Sequence, residues 1–184
     1  MSLLLRFEGV TLVRGGRLLF ENLNLELGPG EALQVTGPNG SGKSSLIRLA
    51  AGLLRSLKGR IERATLTLSD DFAALDRELP LRRALRFWEA SPDEAMEAFG
   101  LGQLADVPVR LLSSGQLKRA TLARVAASSA RLWLLDEPLN ALDSAGIELA
   151  GKAIDRHRSS GGAVLAASHL PLPGEWQVLR LHDL

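Results

Sequence analysis

No cysteine and no tyrosine occur among the 184 residues, and aromatic side chains make up only 4% of them. The first absence excludes disulfides and thiolate-ligated metals, and it is compatible with a reducing compartment. Long apolar runs are lacking as well. No stretch reaches the ~20 residues that a membrane-spanning helix requires. The start, "MSLLLRFEGV", has too short an apolar run and no small-residue cleavage site for a secretory signal. Neither sign of charge dominates: 22 Lys and Arg stand against 21 Asp and Glu, a net charge of +1. So weak a basic balance makes no electrostatic case for nucleic acid or for an anionic membrane surface. Repeats, low-complexity segments and obvious linkers are missing too. The expectation is a soluble chain that needs another chain to span a membrane if it works at one.

What is present suits one globular domain: 46% of the residues are hydrophobic and 23% charged. Residues 3–13 and 17–27 read as strands, and in "NLNLELG" Leu23, Leu25 and Leu27 alternate with Asn24 and Glu26. "ALQVTG" reads as a short buried strand, followed by a glycine-rich loop and the helix "SSLIRLAAGLL". Another strand pattern covers 60–69, and 80–112 is helical in pieces. In "SPDEAMEAFG", Ser91 is placed as N-cap, Pro92 as first helical residue, Glu94 as partner in a capping box and Gly100 as terminator. "RLWLLDEP" and "GGAVLAASH" are unbroken apolar runs that suit central strands covered on both faces, with a helix over 144–158 between them. The end, "QVLRLHDL", is strand-like or loose. The order predicts an α/β core with an antiparallel edge layer and a small helical lobe.

Three stretches carry chemistry. Gly37-Pro38-Asn39-Gly40-Ser41-Gly42-Lys43-Ser44 fits G-x-x-x-x-G-K-[ST], after a predicted strand and at a helix start, with Ser45 next in line. Glycines let backbone N–H groups converge on phosphate oxygens. Lys43 supplies charge to the β- and γ-phosphates, and Ser44 a hydroxyl to Mg²⁺. Taken alone, the stretch also fits an ordinary glycine-rich turn. The second stretch, "RLWLLDEP", delivers Asp136 and Glu137 to a strand's C-terminal end, where α/β sites are built. Asp136 is placed to hold Mg²⁺, and Glu137 to orient and deprotonate a water. Read alone, it is equally an acidic turn capped by Pro138. His169 ends the other apolar run. A lone histidine after a strand is more often structural than catalytic. At the edge shared with Asp136 and Glu137, though, a neutral imidazole can donate to a γ-phosphate oxygen.

The third stretch is "LLSSGQLKRATLAR", where two serines and a glycine open a basic amphipathic segment. It reads as a helix N-terminus able to hold an anion, or simply as a serine N-cap on a surface helix. One nucleotide rarely needs two cradles from one chain. If both serve ATP, the second reaches the γ-phosphate held by another copy, across a dimer interface.

As a set, these motifs resemble the ATP-binding cassette (ABC) ATPases. "GPNGSGKS" looks like their phosphate loop. "LSSGQ" (Leu112 to Gln116) is similar to their signature, with Ser114 where glycine is commoner. "LLDEP" looks like their acidic strand, "ALD" (Ala141 to Asp143) like their D-loop, and His169 like their switch histidine. The resemblance spans the chain in the family's order. It implies a P-loop NTPase core, a mainly parallel sheet flanked by helices, with an antiparallel β layer and a small helical lobe. This is expected as one ATP-binding domain over 1–184, its lobe at about 80–125 inserted in the core. It implies ATP and Mg²⁺, ATP hydrolysis with Glu137 and His169 catalytic, and ATP contacts from Gly37 to Ser45. It also implies a head-to-tail pairing with a second ATPase subunit, read as a second copy of this chain. Ser113, Ser114, Gly115 and Gln116 would then touch the other copy's ATP, with Asp143 in the D-loop. An integral membrane permease is implied as the further partner, with peripheral attachment at the cytoplasmic face of the inner membrane and no nucleic acid.

Within the family, "RGGRLLFENLNL", "ALRFWEA" and "SHLPLP" are similar to the ATPase branch that serves haem export in cytochrome c maturation. A transporter ATPase for another cargo and a non-transport ABC ATPase acting on nucleic acid are the alternatives. The second would call for another cassette, a coiled-coil insertion or a basic stripe, none of which is visible.

Two departures from the family pattern stand out. A glutamine normally follows the strand near 60–69, yet none occurs between Gln34 and Gln103, and "SDD" (Ser69 to Asp71) stands there. An adenine-stacking aromatic is expected near position 14, where Arg14 sits; Arg14 or Phe20 is the candidate substitute. The resemblance implies a docking groove for the membrane partner near Asp70, Asp71 and the Pro80–Trp88 helix, where two acidic residues would favour a basic coupling segment.

Overall fold

The computed structural model describes residues 3–70, 74–88 and 91–181. Its first layer is an antiparallel sheet in the order β2-β1-β4, built from β1 (Leu5–Arg14), β2 (Arg17–Leu27) and β4 (Lys58–Arg63). Between β2 and β4 the chain makes β3 (Ala32–Thr36) and α1 (Lys43–Ala50). The second layer is a five-stranded parallel sheet in the order β5-β6-β7-β3-β8. It adds β5 (Leu66–Ser69), β6 (Leu132–Asp136), β7 (Ala163–Ala167) and β8 (Gln177–Arg180). Helices α2 (Leu81–Arg86), α3 (Asp93–Ala98) and α4 (Ser114–Ala127) lie between β5 and β6, and α5 (Ser144–Ser159) joins β6 to β7.

Alternation along buried strands divides the core in two. Leu132 and Leu134 of β6 point into a cluster shared with α1 and the antiparallel layer, where Phe7, Phe20 and Leu46 are buried. Trp133 and Leu135 point the other way, into a cluster with Leu85, Phe99, Ala123 and Ile154 of the helical side. With both faces covered, every residue of β6 and β7 is buried, which is why these strands read as unbroken apolar runs.

Two local expectations are corrected. The pattern over 60–69 is two strands, not one. β4 pairs with β1 in the antiparallel layer, and the chain crosses at Ala64, whose N–H donates to the Leu4 carbonyl, before β5 joins the parallel sheet beside β6. The capping box expected at α3 is also absent. Pro92 occupies the cap position without a side-chain bond, and Glu94 pairs instead with Arg156 of α5 at 3.5 Å. Gly100 ends that turn in the left-handed region, φ +63°, as expected.

Candidate functional site

Parallel strands deliver their C-terminal ends to one edge, and four of the motif residues meet there. β3 leads into the loop 37–42, and α1 begins at Lys43. Gly42 holds the cap position at φ +104°, ψ 7°, a backbone that side chains other than glycine adopt only under strain. Gly37 also has positive φ, +149°, and a Cβ there would lie 2.8 Å from the Ser41 hydroxyl, which would have to turn away. Lys43 is 7% exposed and folds back across the loop, donating to the carbonyls of Gly37 at 2.9 Å and Pro38 at 3.2 Å. The ammonium is therefore held at the loop by two neutral acceptors that phosphate oxygens can replace.

One residue on, the Ser44 hydroxyl donates to Asp136 Oδ1 at 3.0 Å, joining the start of α1 to the end of β6 across 92 residues of sequence. Asp136 is buried, and Lys118 of α4 donates to its backbone carbonyl at 3.5 Å. Among the described residues no three His, Cys, Asp or Glu cluster as a metal cage. A hydroxyl beside a buried carboxylate nevertheless fits Mg²⁺. That ion takes hard oxygen donors and usually binds through one or two protein groups plus phosphates and water.

Glu137 follows at φ +46°, its N–H donating to the Ala167 carbonyl at 2.8 Å. This backbone turn aims the side chain at β7's end. There its Oε2 lies 2.8 Å from His169 Nδ1 and accepts from the His169 N–H at 3.3 Å. Gln34, buried in the middle of β3, braces the same turn by donating to the carbonyls of Leu170 at 2.9 Å and Ser168 at 3.4 Å. The sequence reading missed Gln34; a polar residue inside the apolar run "ALQVT" was the available signal.

The signature opens α4 as expected. Ser113 is the N-cap: its hydroxyl accepts from the Gln116 N–H at 3.2 Å, while Gln116 Oε1 accepts from the Ser113 N–H at 2.9 Å, a full capping box. Ser113 and Ser114 are exposed. A Cβ on Gly115 would lie 2.9 Å from the Ala141 carbonyl, and Ala141 itself sits at φ +65°. The signature is thus seated on the loop that follows Glu137. Asp143, at that loop's end, caps α5 by accepting from the Gly146 N–H at 2.8 Å.

On the base side, Arg14 donates to the Ser45 hydroxyl at 3.1 Å. Phe20 is only 2% exposed and belongs to the core, so it is not available to stack on a base. The exposed apolar groups beside Arg14 are Val13 and its cross-strand partner Leu18. Asp71 lies outside the described residues.

Comparisons with known proteins agree with this geometry. A sequence model of the ABC transporter family matches residues 20–140. The chain is 54% identical over 180 residues to the "Cytochrome c biogenesis ATP-binding export protein CcmA" of Sphingopyxis alaskensis, covering 94% of this chain and 93% of that one. It is 57% identical over 164 residues to the protein of the same name from Novosphingobium aromaticivorans, covering 86% and 85%. In three dimensions it is similar to a solved "ATP binding subunit of ABC transporter", with a TM-score of 0.82 at 20% identity, over 91% of this chain and 80% of that one.

Proposed function

This chain belongs to the ABC transporter family of ATPases, and on that premise we propose that it is the ATP-hydrolysing subunit of an export complex serving cytochrome c biogenesis. The observation that carries the reading of the site is the convergence of Ser44 on Asp136 and of Glu137 on His169 at one sheet edge. The cargo class rests on identity to relatives whose names state that role.

The loop N–H groups and Lys43 take the triphosphate, Lys43 exchanging the Gly37 and Pro38 carbonyls for phosphate oxygens. Ser44 and Asp136 would hold Mg²⁺, which when bound would supply positive charge against the phosphate oxygens. Glu137 takes a proton from the water whose oxygen attacks the γ-phosphorus, as the bond from that phosphorus to the β-phosphate oxygen breaks. His169 fixes the Glu137 carboxylate from one side, through ring and backbone. Ser113, Ser114, Gly115 and Gln116 present a capped helix N-terminus to the nucleotide of a second copy, and Asp143 holds the intervening loop.

Among the described residues no helix is long and apolar enough to cross a membrane. On the proposed reading a permease partner spans the membrane, and this chain is peripheral at the cytoplasmic face of the inner membrane. Of the two acidic residues, Asp70 faces the buried Arg124 and Asp71 lies outside the described residues, while Arg83 and Arg86 of α2 and its C-cap Phe87 are exposed. An acidic, apolar segment of the partner fits that surface better than a basic one.

Deleting the gene tests the reading. The expected outcome is c-type cytochromes without covalently attached haem while other haem proteins stay normal. Normal haem-stained c-type cytochromes, in a strain with no second copy, would remove the cargo assignment and leave the ATPase.

A further inference from the structure

Helix α4 carries Arg124 in its last turn, at the end away from the signature. Arg124 is 6% exposed, so its guanidinium is buried, and burial pulls its pKa down against the attraction of Asp70. Its Nη2 donates to the Leu68 carbonyl of β5, and its guanidinium carbon lies 4.8 Å from the centroid of the Trp88 ring. Trp88 in turn donates from Nε1 to the Ala74 carbonyl at 2.7 Å. Phe87, 82% exposed, meets the Trp88 ring edge-to-face at 5.2 Å. The end of β5, the segment at Ala74, the end of α2 and the signature helix therefore all meet at one buried cation.

A cation is costly there. Among the described residues Arg124 Nε is buried with no hydrogen-bond partner, and although Asp70 opposes its charge, an apolar side chain of similar length would fill the space without desolvating a cation. What the guanidinium adds is connection: a directional bond to a carbonyl together with a ring face, which no aliphatic chain makes. The position matters because "SDD" stands in this region and no glutamine occurs between Gln34 and Gln103. A helix is stiff, and ten residues span about 15 Å. A shift at Arg124 therefore moves the Ser113 cap at the other end.

We infer that Arg124 is the positioning residue through which the aromatic pair Phe87–Trp88 acts on the signature helix. The inference rests on the proposed function in that the group pressing on Phe87 is a segment of the membrane partner. Its occupancy displaces Trp88, Trp88 carries Arg124, and α4 re-aims Ser113, Ser114 and Gly115. Arg124 touches no substrate.

The test uses the complex recovered from membranes through a tag on this chain, and the isolated chain beside it. Arg124→Met and Trp88→Leu should keep the isolated chain's ATP turnover within about twofold, while the increment contributed by the membrane partner falls at least about fivefold. The double variant should fall no further than either single one, because both interrupt one route. Arg124→Lys should recover part of the increment, keeping a cation over the ring but not the planar fork. Full stimulation in the single variants, additive losses, or equal proportional losses in isolated chain and complex would each overturn the inference.

A second measurement is independent of any partner. Hydrogen exchange on the isolated chain should show Trp88→Leu speeding exchange in the first turn of α4, with no further gain when Arg124 is already Met. Unchanged exchange there would sink the link even if the transport reading stands. A complex without a membrane partner would sink the transport reading while leaving this measurement to decide the link.

Discussion

The Glu137 carboxylate is held twice by one residue: its Oε2 lies 2.8 Å from the His169 ring nitrogen and 3.3 Å from the His169 backbone nitrogen. The two residues stand 32 positions apart, at the ends of adjacent parallel strands. The carboxylate is thus aimed along the sheet edge toward the end of β7.

Glu137→Gln removes the proton acceptor but leaves the size of the side chain and the His169 amide contact. ATP binding should persist, and turnover should fall by ~10²-fold or more, the usual worth of a general base. ATP should then hold a dimer that ADP does not. Steady-state phosphate release with size-exclusion chromatography in each nucleotide checks both; a variant turning over at the parent rate would assign the base elsewhere.

Lys43→Ala deletes the buried ammonium that now bridges Gly37 and Pro38. Charge-assisted contacts are worth about 1.5–3 kcal/mol each, so ATP affinity should drop by roughly 10- to 100-fold or more. Isothermal titration with ATP reads this directly, and an unchanged Kd would contradict the phosphate-loop assignment.

Ser113→Arg places bulk and charge at the exposed cap of α4. ATP-dependent dimerisation should be lost while the monomer's nucleotide affinity stays close to the parent's. If monomer affinity falls as far as it does in Lys43→Ala, the signature serves its own chain's nucleotide and the head-to-tail pairing is wrong.

His157 stacks on Trp133 with centroids 4.0 Å apart and planes 13° from parallel, and a Cβ at Gly162 would collide with its ring. Burial lowers its pKa, outweighing the backbone groups of Ala163 and Arg131 that raise it. The unfolded imidazole takes up a proton near pH 6.5, while the folded one resists. The stability from this site is therefore fully present above about pH 6.5 and is lost as pH falls below that toward the lowered folded value. His157→Phe keeps an aromatic stack and removes the titration. Between about pH 7.5 and pH 5.5 the parent's thermal midpoint should fall further than the variant's. Parallel midpoints would mean that His157 does not set the acid limb.

The sequence by itself determined what depends on neighbours along the chain. The phosphate loop is legible because glycines, lysine and serine act at fixed short spacing after a strand. β6 and β7 are legible because a strand covered on both faces must be apolar throughout. The serine-capped start of α4 is legible because capping is a contact between residues three apart. Only the tertiary structure decided the rest. Ser44 meets Asp136 across 92 residues, Gly115 rests on Ala141, and Gln34 braces the His169 turn. Arg124 spans from α4 to β5 and Trp88, and Phe20 sinks into the core although its neighbour Leu19 stays at the phosphate loop. The split of 58–69 between two sheets belongs here too, since alternation looks alike whichever strand lies alongside. The physical reason is common to all of them. Periodicity specifies which face of an element is apolar, but sheet order and helix placement specify which distant face it meets. The contacts that aim Glu137 and the signature are made only at that second step.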